Sequence, residues 1–169
     1  MTADEVKREL GLTPHPREGG WYVRTYEAAE MVNVDARYDG PRRAGLRRTG
    51  TAIYYLLEPG TFSEMHVLKS DEIFHHYAGG AVEMLQLFKN GTSRRVVIGK
   101  DLSAGERPQV VVPHGVWQGA RLVVEEGWAL LGCTVSPGFE FADYKAAGRE
   151  ELCAKWPVER EMIMKLTRE

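Results

Sequence analysis

Residues 60–79, GTFSEMHVLKSDEIFHHYAG, constrain the fold more than any other stretch of the chain. Two β-rich runs, 62–68 and 72–77, flank Lys69-Ser70-Asp71, and a glycine closes each end. Strand side chains alternate between faces. Phe62, Glu64, His66 and Leu68 therefore share a face of the first run, and Glu72, Phe74 and His76 share a face of the second. With 69–71 as a turn, the runs pair as an antiparallel hairpin, Leu68 opposite Glu72 and His66 opposite Phe74. His66 and Glu72 become diagonal neighbours, roughly 7–8 Å apart at Cα, close enough to meet or to share an ion. His76 stands four residues past Glu72, roughly 13 Å along a strand. It is expected as a second polar contact deeper in the same cavity or at its rim. His75 faces the other way. A buried carboxylate is costly unless paired, so an inward Glu72 predicts a partner.

The length of 169 residues, 43 % of them hydrophobic, suits one domain able to bury a sizeable core. A net charge of −2 argues against nucleic acid or an anionic membrane as the main partner. No apolar run approaches the roughly 20 residues of a membrane span. The opening MTADEVKREL is charged throughout and shows no signal peptide. Cys133 and Cys153 lack a C-x-x-C spacing and read as idle thiols in a reducing cytoplasm.

Thr2-x-x-Glu5 has the form of a capping box, followed by Val6 and Leu10 on one helical face and Gly11 as a stop. A short surface helix is expected over 2–10. Short β-rich runs then follow at 51–57, 62–68, 72–77, 81–88, 94–98, 109–112, 121–124 and 128–135, separated by Gly, Pro, Asn and Asp. Asn90-Gly91 predicts a two-residue hairpin turn with both positions at positive φ. Such spacing favours a sandwich or barrel over a parallel α/β sheet. After Pro137-Gly138 the pattern turns helical, over 145–155 and 158–166. The polar stretch 28–50, with Arg42, Arg43, Arg47 and Arg48, reads as an exposed loop whose arginines form a solvated face rather than a phosphate site.

Gly60, His66, Glu72 and Gly79 at this spacing resemble the first conserved motif of the cupin superfamily, and Pro113-His114-Gly115-Val116-Trp117-Gln118 resembles the second. Two of the four usual metal-ligand positions differ: Leu68 and Gln118 stand where histidines are usual. A narrower resemblance is to the DUF985, or cupin-5, family, over Leu12 to about Trp156. It rests on His15-Pro16-Arg17-Glu18-Gly19-Gly20-Trp21-Tyr22 with Arg24-Thr25-Tyr26, Ile53-Tyr54-Tyr55-Leu56-Leu57, Ser70-Asp71-Glu72, Val112-Pro113 with Trp117-Gln118, and Gly132-Cys133-Thr134-Val135-Ser136-Pro137-Gly138-Phe139. That family resembles the sugar-nucleotide epimerase branch of cupins in fold, and its members look like homodimers.

The resemblance implies an all-β, cupin-type double-stranded β-helix, a jelly-roll barrel. One domain spans 1–169, with a barrel core over about 21–136, a short N-terminal helix, and a C-terminal helical segment over about 142–167. The expected function is binding of a small polar metabolite, sugar- or nucleobase-like, without a tightly held metal. His66 and Glu72 are the catalytic candidates, a general base or acid tuned by a carboxylate. His76, Gln118, Arg24 and Tyr26 are the ligand-binding candidates. The alternatives are a metal-dependent isomerase or dioxygenase, with His66, Glu72 and Gln118 around a divalent ion, and a non-catalytic sensor or structural module. Because Gln is a poor substitute for imidazole at a borderline metal, occupancy is expected to be weak or absent. The alternating strand 21–26 reads as an edge packed on the barrel or on a homodimer partner. Neither nucleic acid nor membrane is expected as a partner.

Overall fold

The computed structural model describes residues 1–34, 45–124 and 126–168. The N-terminal helix α1 (Ala3–Leu10) forms where its capping signals place it. Thr2 accepts from the Glu5 amide, Glu5 reaches back to the Thr2 amide, and Gly11 closes the helix in the left-handed region. Among the described residues thirteen strands follow: β1 (Thr13–Pro14), β2 (Trp21–Glu27), β3 (Met31–Asn33), β4 (Leu46–Arg48), β5 (Thr51–Leu57), β6 (Phe62–Val67), β7 (Asp71–Gly79), β8 (Val82–Leu87), β9 (Ser93–Ile98), β10 (Gln109–Val112), β11 (Trp117–Leu122), β12 (Ala129–Ser136) and β13 (Lys145–Ala146). Helices α2 (Arg149–Lys155) and α3 (Arg160–Lys165) complete the chain.

Two antiparallel sheets face each other. One runs β1-β2-β5-β12-β7-β10, the other β13-β6-β11-β8-β9. Between them lies the main core, with Tyr55, Leu57, Phe74, Met84, Ile98, Ala120 and Leu131 among its buried residues. The outer face of the five-stranded sheet carries Met65, Leu85 and Leu87, covered by Leu152, Trp156 and Ile163 of the C-terminal helical segment. The outer face of the six-stranded sheet presents Leu56, covered by Val6 of α1 and by Leu12. This is a cupin-like sandwich with helices at both ends of the chain, as the sequence implies.

Several local expectations change. β6 and β7 are not a hairpin: they lie in different sheets, and the chain crosses between sheets at 68–70. Within β6, His66 pairs with Gln118 and Ser63 with Ala120, so Glu64 and Met65 together oppose Gly119. This bulge shifts the alternation. Ser63 and His66 both face inward, while Phe62 and Met65 pack beneath the C-terminal helices. Phe62 and His66 therefore do not share a face.

The turn after β8 spans Lys89, Asn90 and Gly91 rather than two residues. Gly91 N donates to Phe88 O and Phe88 N to Thr92 O, both at 2.9 Å. Only Gly91 has positive φ, at 88°, and no described non-glycine residue does. This is the three-residue hairpin loop with a left-handed glycine. The strand expected at 121–124 is β11, five residues of whose span precede Leu122. Lys145–Ala146 pair with β6 instead of starting a helix. Within 28–50, β3 and β4 form a two-stranded ribbon. Arg47 is not solvated: it binds Asp143 through Nε at 3.0 Å and Nη2 at 3.2 Å. Arg42 and Arg43 lie outside the described residues.

The bulge predicts a sensitive glycine. A Cβ at Gly119 would stand 2.7 Å from the buried Met65 Sδ and 3.1 Å from the Ser63 carbonyl. Gly119→Ala is expected to destabilise the protein by about 1–3 kcal/mol through overpacking, read as a lower urea midpoint at unchanged slope. Wild-type stability in this variant would disprove the tight bulge.

Candidate functional site

The cleft opens at one end of the barrel, with about 420 Å³ of space free of atoms, its mouth included. β6 supplies His66, β7 Glu72 and β12 Cys133. The mouth is formed by Tyr22 and Arg24 of β2 with Phe139, and the loop before β2 contributes His15 and Glu18. His66 and Glu72 are buried, 1 % and 7 % exposed. They face the same cleft from opposite sheets, not as diagonal neighbours of a hairpin. Their link runs through Gln118, the register partner of His66, whose Nε2 donates to Glu72 Oε2 at 2.6 Å.

His66 has a defined tautomer. Its Nδ1 lies 2.6 Å from the Glu64 carbonyl oxygen, which can only accept, so Nδ1 carries the hydrogen. Nε2 has no hydrogen-bond partner among the described residues. The ring also stacks on Tyr144, centroids 4.9 Å apart and planes inclined by 22°. The Tyr144 hydroxyl is buried without a partner. Burial, with Glu18 and Glu64 nearby, pushes its pKa well above the usual phenol value.

The loop at 15–20 is stapled to the barrel. Tyr55 donates to the Gly19 carbonyl at 2.8 Å, and the Glu64 amide donates to the Glu18 carbonyl at 2.9 Å. His15 Nδ1 accepts from the Glu18 amide at 2.8 Å, so the neutral ring carries its hydrogen on Nε2, 3.8 Å from Glu18 Oε2. Burial lowers the His15 pKa, outweighing the opposite pull of Glu18. Ser63 Oγ donates to Glu18 Oε1. Glu18 is thereby presented to a cleft that already holds Glu72.

Burial, reinforced by the Glu18 charge and opposed by the Gln118 hydrogen bond, pushes the Glu72 pKa up to about 8. Glu72 is therefore mostly a neutral acid at pH 7. Cys133 is raised well above its usual value by burial and by Glu72 and Glu18, which makes it a thiol rather than a nucleophile.

Two sequence candidates lie elsewhere. His76 is not a cleft residue. Its Nε2–H donates to the Gly80 carbonyl at 3.0 Å, at the far end of β7. Tyr26 is 56 % exposed, because a bulge between Arg24 and Tyr26 breaks the alternation that grouped it with Tyr22 and Arg24. Arg24 reaches the mouth but is engaged by Glu27 and by the Phe139 carbonyl. His15, Glu18 and Tyr144 join the site without having been singled out for it. The first two carried a signal, a charged residue between a histidine and two glycines; Tyr144 carried none.

The metal set does not fit. Among the described residues no group of three His, Cys, Asp or Glu side chains is disposed to hold an ion. Leu68 offers no ligand, and Gln118 turns its amide nitrogen, not its oxygen, toward Glu72.

Facing antiparallel sheets, an inward His-Glu pair and the Pro-x-Gly turn before β11 define a cupin. The chain belongs to the cupin superfamily family DUF985 (Cupin_5), whose pattern matches residues 4–147. It is 29 % identical over 143 residues to the uncharacterized protein YML079W of Saccharomyces cerevisiae, covering 80 % of this chain and 71 % of that one. Its fold is similar to protein SO0799 of Shewanella oneidensis, with TM-score 0.85 and 33 % identity over 99 % of this chain and 98 % of that chain. A hypothetical protein from Leishmania major gives TM-score 0.88 and 28 % identity over the full length of both. Oxalate decarboxylase of Lactobacillus farciminis, at 12 % identity and TM-score 0.53 over 94 % of this chain and 42 % of that chain, shares the fold alone.

The raised Glu72 pKa has a signed consequence. A carboxyl whose folded pKa lies above its unfolded value binds more protons when folded, so its contribution to stability is full at low pH. That contribution declines from about pH 4.5 and is gone once pH has risen through about 8. Glu72→Gln copies the neutral acid. Urea unfolding at pH 5, 7 and 9 should show the variant with a flatter pH profile and, at pH 9, higher stability than wild type. Parallel profiles would show that Glu72 titrates normally.

Proposed function

We propose that the cleft binds a small polar metabolite and that His66 and Glu72 act on it as a proton-accepting and proton-donating pair, without a tightly held metal. The observation that carries this reading is the meeting of His66 and Glu72 in one cleft. His66 is anchored through Nδ1, which leaves Nε2 without a protein partner among the described residues, and Glu72 is held as a neutral acid near neutral pH. A buried carboxyl with a raised pKa is suited to donate a proton. Tyr144 stacks on His66 and limits its rotation. Gln118 orients Glu72. Arg24 and Tyr22 frame the entrance. A sugar-like or nucleobase-like molecule is the ligand class of this reading, and proton transfer at carbon, as in an epimerase or isomerase, is the reaction class such a pair would serve.

Ligand screening by thermal shift, followed by calorimetry on the responding compound, tests the reading. His66→Ala and Glu72→Ala should each weaken binding by about 1–3 kcal/mol through lost hydrogen bonds, with the fold retained by circular dichroism. Unchanged affinity in both variants would remove the site from this cleft.

We also propose a homodimer. Among the described residues β1 pairs only with Trp21 and Tyr22 of β2 and leaves the length from Val23 onward as an open edge, flanked by the exposed Tyr26. Open edges of this kind invite pairing with another chain. Light scattering at micromolar concentration should give the dimer mass, and Val23→Pro should shift it toward monomer. A monomer in the wild type would refute the dimer.

A further inference from the structure

Glu18 lines the cleft with its carboxylate only partly satisfied. Its side chain is 13 % exposed, and its backbone is fixed because the loop at 15–20 is tied to Tyr55 and Glu64. Ser63 Oγ donates to Oε1. Oε2 has His15 Nε2 at 3.8 Å, beyond hydrogen-bond reach, and the nearby Tyr55 hydroxyl gives its one hydrogen to the Gly19 carbonyl. An ionised carboxylate offers about four lone-pair sites, and Ser63 fills one of them.

Among the described residues no cation answers this charge inside the cleft. Burial favours the neutral His15 ring. Arg24 is the one arginine or lysine in the lining, and it is engaged by Glu27 and the Phe139 carbonyl. Arg168 faces Glu64 at 3.8 Å and Arg17 lies over the Phe141 ring, and neither lines the cleft. Glu72, a neutral acid, adds no second charge. Burial is the main reason that Glu72, Cys133 and Tyr144 hold their protons, and the Glu18 charge adds to it at each. A charge left unpaired where water is scarce is costly.

A second observation points to what the cleft receives. His66, 1 % exposed, faces it with Nε2 unpartnered, and Glu72 has Oε2 held by Gln118 and no partner on Oε1 among the described residues. The Tyr22 and Phe139 rings stand at the mouth, and aromatic surface attracts cations. These side chains are not disposed to hold a metal ion. A protonated amine asks less of them, since its N–H groups need acceptors at hydrogen-bond distance rather than a bonded shell.

We propose that the cleft takes a small protonated amine that also carries hydroxyl groups, an amino alcohol or amino sugar, with Glu18 Oε2 as the counter-charge to its ammonium and with His66 and Glu72 left for its hydroxyls. This rests on the cleft being a ligand site and adds the class of ligand.

The test is calorimetry on the full chain near neutral pH with ethanolamine, serinol and D-glucosamine, each against its uncharged counterpart, ethylene glycol, glycerol and D-glucose. At least one amine should bind about tenfold or more tighter than its counterpart, the scale of one charge-assisted hydrogen bond. This comparison on wild type needs no variant to fold. Glu18→Gln, which can still accept from Ser63, should shrink the preference to about threefold or less, and His66→Ala should weaken the same amine. Equal affinity of amine and counterpart overturns the inference, as does a preference that survives Glu18→Gln. Amine binding untouched by His66→Ala places it outside the cleft and overturns the inference too. Silence from every amine overturns it as well. The cleft reading is judged separately: an uncharged or anionic compound from the thermal-shift screen that is lost in His66→Ala would sink the amine and leave the cleft standing.

Discussion

The structure turns on a carboxyl group placed between two sheets. Glu72 projects from β7 into the barrel, where an isolated charge is prohibitive, and the opposite sheet answers with the Gln118 amide. That one hydrogen bond ties the registers of both sheets together at the cleft. It also sets the neighbourhood's chemistry. Because Glu72 holds its proton, Leu68 can sit beside it without stranding a charge, and Cys133 remains a thiol. The bulge in β6 is part of the same arrangement. Without the extra residue opposite Gly119, Ser63 and His66 could not both turn inward, and Glu18 would lose its hydroxyl partner as the cleft lost its imidazole.

Legibility followed the range of the determining interaction. The N-terminal helix was readable because Thr2, Glu5 and Gly11 act within one turn. β5 and β10 were readable to the residue because runs of Ile, Tyr, Val and Leu there are bounded by Gly50 and Pro59 and by Pro108 and Pro113. The inward face of His66 and Glu72 was readable too, since alternation does not depend on which strand lies next door. Their relation was not. A three-residue link between two β-rich runs reads locally as a hairpin, whereas here it is a corner where the chain changes sheets. β11 was placed too late because Trp117-Gln118-Gly119-Ala120 has little β propensity, and the pairing with β6 and β8 overrides it. Tyr26 and Phe62 were assigned to the wrong company by bulges, which shift parity without announcing themselves in composition.

The oxalate decarboxylase likeness shows how little of a site a barrel dictates. Two facing sheets recur at 12 % identity, but fold carries no activity with it. The proposed reading of this cleft rests instead on His66 and its register partner Gln118 on the five-stranded sheet and on Glu72 opposite.

The loop at 15–20 makes the cleft an electrostatic unit rather than a list of residues. Its backbone is fixed by Tyr55 and Glu64, and its histidine is fixed as a neutral ring by the Glu18 amide. The Glu18 carboxylate therefore cannot turn away from Glu72, and its charge is one reason the Glu72 proton is held so tightly. Coupling of this kind runs both ways. On the proposed reading, a ligand that donated a hydrogen bond to Glu18 would screen its charge and let Glu72 release its proton more readily. The proton affinity of the buried acid, raised first by burial, is thus raised further by the loop, and the loop is held by the strand that carries His66.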